Sequence, residues 1–183
     1  MTTIRIYPDN APTNLLFTTD DSQKIRQRLQ DIGVQFEQWP TQPELQPGCA
    51  PEQVLAAYQD DIERLQQQHG YQAVDVISLD ANHPDKAALR QKFLSEHTHS
   101  EDEVRFFAAG EGLFTLHQDG KVYEVHCVAG DLISVPANTP HWFDMGPHPR
   151  FVAIRWFTNP EGWVAQFTGS DIANLFNRLE ENA

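Results

Sequence analysis

Cysteine is scarce in this chain: its 183 residues include two, Cys49 and Cys127, in unlike contexts and without C-x-x-C spacing. That argues against a disulfide framework and against a thiolate zinc site, and leaves two free thiols, with Cys127 expected in the core. Positive charge is also short. Thirteen Lys and Arg stand against 26 Asp and Glu, a formal charge of -13 that repels phosphate backbones and anionic lipid. Neither nucleic acid nor membrane is expected as a partner. Long apolar runs are missing, with nothing near the roughly 18 residues needed to span a bilayer, and MTTIRIYPDN lacks the core of a signal peptide. The expectation is a cytoplasmic monomer, one domain over 1–183.

What is present divides into two styles of sequence. Up to about residue 95 strands alternate with helices: TIRIY (3–7), a helix over 21–33 ending at Gly33, VQFEQWP, a second helix from Pro51 to about His69, VDVIS (74–78) and a short helix over 84–94. The second helix should bury a stripe of Val54, Leu55, Tyr58, Ile62 and Leu65. From about 96 to 169 short strands with regular turn signals predict an antiparallel sandwich or barrel. Asp119-Gly120 marks a hairpin that sets Leu116 opposite Tyr123 and Phe114 opposite Val125, with Thr115, His117, Glu124 and His126 on the other face. On that register His117 and His126 read as exposed or outer residues. SDIANLFNRLEE (170–181) predicts a C-terminal helix with Ile172, Leu175, Phe176 and Leu179 as its buried stripe. The fold class is mainly β with helices (α+β).

The chemistry concentrates in HTHSEDE (97–103). In an extended chain alternate side chains share a face, so His97, His99, Glu103 and Arg105 could converge, imidazole and carboxylate being suitable donors for a divalent first-row metal. On composition alone the stretch also fits a solvated acidic turn. The same parity turns Glu101 inward.

These residues resemble the cupin superfamily. Its first motif, H-x-H, three or four residues, a Glu, six further residues and then a Gly, is matched by His97, His99, Glu103 and Gly110, and GDLISVPANTPH supplies Gly130, Pro136 and His141 of the second. Gln91 and Asn138 stand where the motifs usually carry Gly, and Met145 where the second ends in Asn. The motif spacing selects Glu103 over Glu101 and requires a turn or bulge near Ser100.

HTHSEDEVRFF, PANTPHWFDMG and IRWFTNPEGWVA look more narrowly like the acireductone dioxygenase family. The resemblance implies an antiparallel jelly-roll β-barrel with a helical N-terminal arm, and His97, His99, Glu103 and His141 as ligands of one Fe2+ or Ni2+ per chain. It implies a reaction of methionine salvage, in which 1,2-dihydroxy-3-keto-5-methylthiopentene (the acireductone) and O2 are the substrates. With iron the products are 2-keto-4-methylthiobutanoate and formate; with nickel they are 3-methylthiopropanoate, formate and carbon monoxide. Arg105 matches a position associated with forming the substrate dianion, Glu96 one associated with metal loading, and Asp102 one associated with relaying local shape changes.

Bland readings stand beside these. Arg105 could be a surface residue paired to Glu101 or Asp102, and Glu96 and Asp102 could be plain exposed acids. Phe93, Phe107, Phe143, Trp156 and Trp163 could wall a pocket or simply fill core. Arg155 shares a strand face with Phe151, Ala153 and Phe157, which points either into the site or outward; His69, His83 and His148 receive no role. Another metal-dependent cupin enzyme, or a cupin that binds metal and a small ligand without catalysis, remains as an alternative.

Overall fold

The computed structural model describes residues 1–180. Among the described residues eleven strands form the framework: β1 (Thr3–Pro8), β2 (Phe17–Thr19), β3 (Gln35–Gln38), β4 (Ala73–Leu79), β5 (His97–Thr98), β6 (Glu103–Gln118), β7 (Lys121–Val128), β8 (Asp131–Val135), β9 (His141–Asp144), β10 (Phe151–Phe157) and β11 (Gln166–Phe167). Four helices lie between the early strands: α1 (Ser22–Gln30), α2 (Pro51–Ala57), α3 (Gln59–His69) and α4 (Lys86–Leu94). No helix among the described residues is long and apolar enough to cross a membrane.

All strand pairs are antiparallel, and β6 is shared between two sheets. Its first half pairs with β8 and β10, which carry β3 and β4 beyond them. Its second half pairs with β7 and β9 within the order β2-β1-β7-β6-β9-β5-β11. The changeover falls at Gly110, whose φ is +72°. A Cβ there would sit 1.8 Å from the Arg150 carbonyl oxygen, so the close crossing of β6 and the start of β10 excludes every side chain. The expected barrel is therefore open. The ladder does not close on itself, because β2 and β11 end one sheet as strands of three and two residues, too short to carry the pairing onward.

Apolar residues fill both faces of the shared region. Between the sheets lie Phe107, Phe114, Leu116, Val125, Phe143 and Phe151, all buried, with Ile25 and Leu29 of α1 against them. On the outer face of the β4-β10-β6 side, Val54, Tyr58, Ile62 and Leu65 cover Val104, Phe106, Ile154 and Trp156. This double cover explains why β10 is buried at every position and reads as a continuous apolar run.

The sequence predicted the hairpin register correctly: Leu116 faces Tyr123 and Phe114 faces Val125. Asp119 (φ 53°) and Gly120 (φ 72°) make the tight turn, with both central residues left-handed. Asn138 also has positive φ, 62°, so where the cupin motif usually has Gly this chain uses the side chain that best tolerates the same backbone.

Two helical expectations need correction. The run from Pro51 to His69 is two helices, interrupted at Tyr58 (φ -108°), whose hydroxyl accepts the Gln42 N–H at 3.0 Å; Leu55 is 36 % exposed rather than part of the buried stripe. The C-terminal helix over 170–181 is only a 3-10 turn, Ile172–Leu175, and the rest of that range through 180 is not helical; residue 181 lies outside the described residues. Tertiary acceptors replace the helical carbonyls: the Leu179 N–H donates to Asp144 Oδ2 (2.8 Å) and the Asn177 N–H to Glu124 Oε1 (3.0 Å). Leu175 is exposed, while Phe176 packs on Trp142 and Tyr7. This segment covers the outer hairpin face, so Thr115 and Glu124 are buried where alternation alone suggested exposure.

Replacing Gly110 and Gly120 by Ala tests the close approach. Both have positive φ, but the added methyl meets nothing within 4 Å at Gly120. Gly120→Ala is expected to cost about 1 kcal/mol from backbone strain, and Gly110→Ala at least ~2 kcal/mol more from the carbonyl collision, measured by urea unfolding.

Candidate metal centre

β5 lasts two residues, and the chain then bends through 99–102 before β6 begins at Glu103. The bend sits where the motif spacing required it. The loop before β9 holds it in place: the Asn138 N–H donates to the His99 carbonyl at 2.8 Å, and the Ala137 N–H to Asp102 Oδ1 at 2.8 Å. Glu101 turns the other way, accepting from Thr158 Oγ1 and Asn159 Nδ2, both at 2.7 Å. Glu103 is left as the inward carboxylate, 1 % exposed.

His97, His99 and His141 form a buried three-histidine cluster with candidate donor atoms within 4.8 Å of one another. His97 and His141 are register partners of β5 and β9, which brings ligand candidates from the two motifs side by side. Each ring is oriented by a backbone carbonyl. Nδ1 of His97 donates to Ser95 O (2.7 Å), Nδ1 of His99 to Val164 O (3.2 Å) and Nδ1 of His141 to Thr139 O (2.8 Å). With Nδ1 carrying the proton, each Nε2 presents a lone pair to the centre.

Glu103 Oε2 lies 3.2 Å from His99 Nε2 and 3.5 Å from His141 Nε2, and neither Oε2 nor His141 Nε2 has a hydrogen-bond partner. Acceptor lone pairs aimed at one another in a buried place repel unless a cation lies among them. Three imidazoles and one carboxylate fit a divalent first-row metal.

Charge around the cluster agrees with that fit. Burial, then the neighbouring His141 and His99, outweigh the Ser95 bond and push the His97 ring down to about 3, which keeps it neutral and able to donate a lone pair. Burial alone would raise the Glu103 carboxyl; the Arg105 guanidinium beside it holds it well below the usual carboxylate range. Arg105 is 3 % exposed, donates from Nε (3.2 Å) and Nη2 (3.0 Å) to Glu103 Oε1, and lies over the Phe143 ring at 4.6 Å. Its Nη1 is buried without a partner. The alternative pairing of Arg105 with Glu101 or Asp102 on the surface is therefore not what the fold makes.

The cluster opens on a cavity of about 560 Å3 whose walls include His97, His99, His141, Arg105, Phe93, Phe143 and Trp163. Of the five candidate wall aromatics, Phe93, Phe143 and Trp163 line it, whereas Phe107 is in the core between the sheets and Trp156 in the outer one. Arg155 faces inward and pairs with Asp75, Nε to Oδ1 at 2.9 Å. Sequence reasoning missed Asp75, Ile77, Leu89, Lys92 and Phe157 as wall residues. Spacing could have found Leu89 and Lys92, which share a helix face with Phe93; Asp75 needed the pairing of β4 with β10. Glu96 is buried and bonded to His117 Nδ1 (2.7 Å) and Thr168 Oγ1 (2.8 Å), and Asp102 is exposed.

Comparison with known proteins gives a consistent result. Residues 3–165 match the ARD/ARD' family. The chain is 58 % identical to an acireductone dioxygenase of Alcanivorax borkumensis, over 96 % of this chain and 97 % of that one. It is 54 % identical to one of Pseudomonas paraeruginosa, covering 99 % and 100 %. Its fold superposes on the acireductone dioxygenase of Bacillus anthracis, solved with a cadmium ion in its active centre, with a TM-score of 0.79, 34 % identity and coverage of 91 % and 98 %. With both motifs assembled around one buried three-histidine cluster, the chain belongs to the ARD/ARD' family.

Proposed function

We propose that the chain is an acireductone dioxygenase, a metal-dependent enzyme that cleaves 1,2-dihydroxy-3-keto-5-methylthiopentene with O2. The observation that carries the reading is the buried His97, His99 and His141 cluster, with Glu103 Oε2 within 3.5 Å of the Nε2 atoms of His99 and His141, beside a cavity lined by apolar side chains and the Arg105 guanidinium. These four residues are the ligands we assign to one Fe2+ or Ni2+. When bound, the ion supplies Lewis acidity and a template that orients an enediolate.

The remaining steps belong to the protein. A divalent cation with one carboxylate and one guanidinium leaves two positive charges, which a dianionic substrate neutralises; the Arg155–Asp75 pair adds none, and the Lys92 charge on the cavity wall is exposed to solvent. Arg105 favours loss of the enediol protons by offering its unpartnered Nη1 to the oxygen that becomes charged. Ile77, Leu89, Phe93, Phe143 and Phe157 form an apolar wall suited to the methylthio tail, in a cavity of a size common for small ligands. Asp102 ties the ligand-bearing bend to the loop ahead of His141, so it can pass a shift in one to the other. Glu96 faces away from the ligand cluster, and its contribution to metal loading would act through the position of His97. The acidic charge disfavours nucleic acid and anionic membrane surfaces as partners, and the reading is of a cytoplasmic monomer.

Chelator-stripped protein reloaded separately with iron and nickel, mixed anaerobically with acireductone and then exposed to O2, tests the reading. The enediol absorbance should decay in both, giving 2-keto-4-methylthiobutanoate and formate with iron, and 3-methylthiopropanoate, formate and carbon monoxide with nickel. Unchanged absorbance in both forms would refute it. Arg105→Leu should keep its metal by elemental analysis yet lose about 100-fold or more in kcat, since a charge donor to the reacting oxygen is removed.

A further inference from the structure

His117 is outside the ligand cluster, yet it touches the residue that precedes each of two ligands. Its backbone N–H donates to the Pro140 carbonyl at 2.9 Å, immediately before His141. Its Nδ1 meets Glu96 Oε2 at 2.7 Å, immediately before His97, and its Nε2 meets Asp9 Oδ2 at 3.1 Å. Both ring nitrogens face carboxylate oxygens, so both donate and the ring is held as an imidazolium. Burial opposes that charge, but the bonds to Asp9 and Glu96 outweigh it and raise the His117 pKa.

Glu96 is 4 % exposed and, as the neighbour of His97, projects to the opposite side of the chain. Its Oε1 accepts from Thr168 Oγ1 at 2.8 Å and its backbone carbonyl from the Thr168 N–H at 3.1 Å. The side chain is thus pinned between β6 and the segment after β11. β5 has little else to fix it, being two residues long, with one register partner on β9 and two on β11. A strand with so few ladder bonds can roll about its own axis, and rolling would swing His97 Nε2 off the common centre.

We propose that His117 is a positioning residue for the metal centre, through an Asp9–His117–Glu96 bridge, half-buried at Asp9 and His117 and buried at Glu96, that locks β5 to β6 while the His117 N–H locks the loop ahead of β9. The idea rests on the ligand set assigned above. Carbonyls of Ser95, Val164 and Thr139 set the rotation of each ring; the bridge sets where the backbone of His97 lies relative to that of His141. Its two charge-assisted bonds make a stiffer tie than neutral contacts of the same length.

The test uses the full chain, stripped with chelator, and three readings: the Kd for Ni2+ by chelator competition, the visible spectrum of the Co2+ form, and the thermal midpoint without metal. His117→Phe should weaken nickel binding about tenfold or more and change the cobalt spectrum. Asp9→Asn should weaken binding in the same direction by a smaller factor. His117→Gln, which can still donate to Glu96, should recover part of the lost affinity. If His117→Phe does not fold, Asp9→Asn and His117→Gln decide. Parental nickel affinity and cobalt spectrum in the folded variants, even with a lower thermal midpoint, would reduce His117 to packing and overturn the inference alone. A parent chain that fails to bind one equivalent of nickel would overturn the ligand set and the inference together.

Discussion

Three buried imidazoles gathered within 4.8 Å, with the Glu103 carboxylate within 3.5 Å of two of them, crowd lone pairs that repel one another, and much of the structure around this site serves to keep them there. The rings cannot turn away because each is tied through Nδ1 to a carbonyl from a different stretch of chain: Ser95, Thr139 and Val164. The carboxylate cannot turn away because Arg105 grips its other oxygen from the same strand, two residues on. Held this way, the cluster has its donor atoms fixed before any cation arrives, so little ordering is left for binding to accomplish.

Sharing β6 between the sheets makes the convergence possible. Glu103 and Arg105 come from its first half, and Leu116, in its second half, lies opposite His141 on β9. One strand can serve both sheets only if it changes partners sharply, and Gly110 is where the Arg150 carbonyl comes too close for any side chain. The backbone constraint at Gly110 and the chemistry at Glu103 are thus parts of one arrangement, although seven positions separate them.

The cavity beside the cluster carries cationic and apolar side chains together. Arg105 and Arg155 are register partners across β6 and β10, so two cations project toward one wall, each with its own carboxylate. Apolar side chains from β4, α4, β9 and β10 line the same cavity, and two of them, Phe143 and Phe157, lie against the guanidinium groups of Arg105 and Arg155. A ligand with an anionic head and an apolar tail finds both kinds of partner among the wall residues.

Much of this was legible from the sequence because it depends on local periodicity. Alternation made His97, His99, Glu103 and Arg105 candidates for one face, although a bend through 99–102 rather than a continuous strand brings them together; the Asp119-Gly120 turn fixed the hairpin register, and motif spacing supplied His141. The bend near Ser100 followed from the conflict between alternation and spacing at Glu101. What the sequence could not decide are the contacts between segments far apart in the chain. Only the fold showed that Glu101 is taken by Thr158 and Asn159, that Arg155 turns inward to Asp75, and that Phe107 and Trp156 belong to core while Phe157 lines the cavity. Residues 170–180 have a helical pattern, yet they pass over the hairpin and give their N–H groups to Glu124 and Asp144. Local propensity is worth a few tenths of a kcal/mol per residue, and a bond to a buried carboxylate is worth more, so the tertiary partner wins wherever the fold brings one within reach.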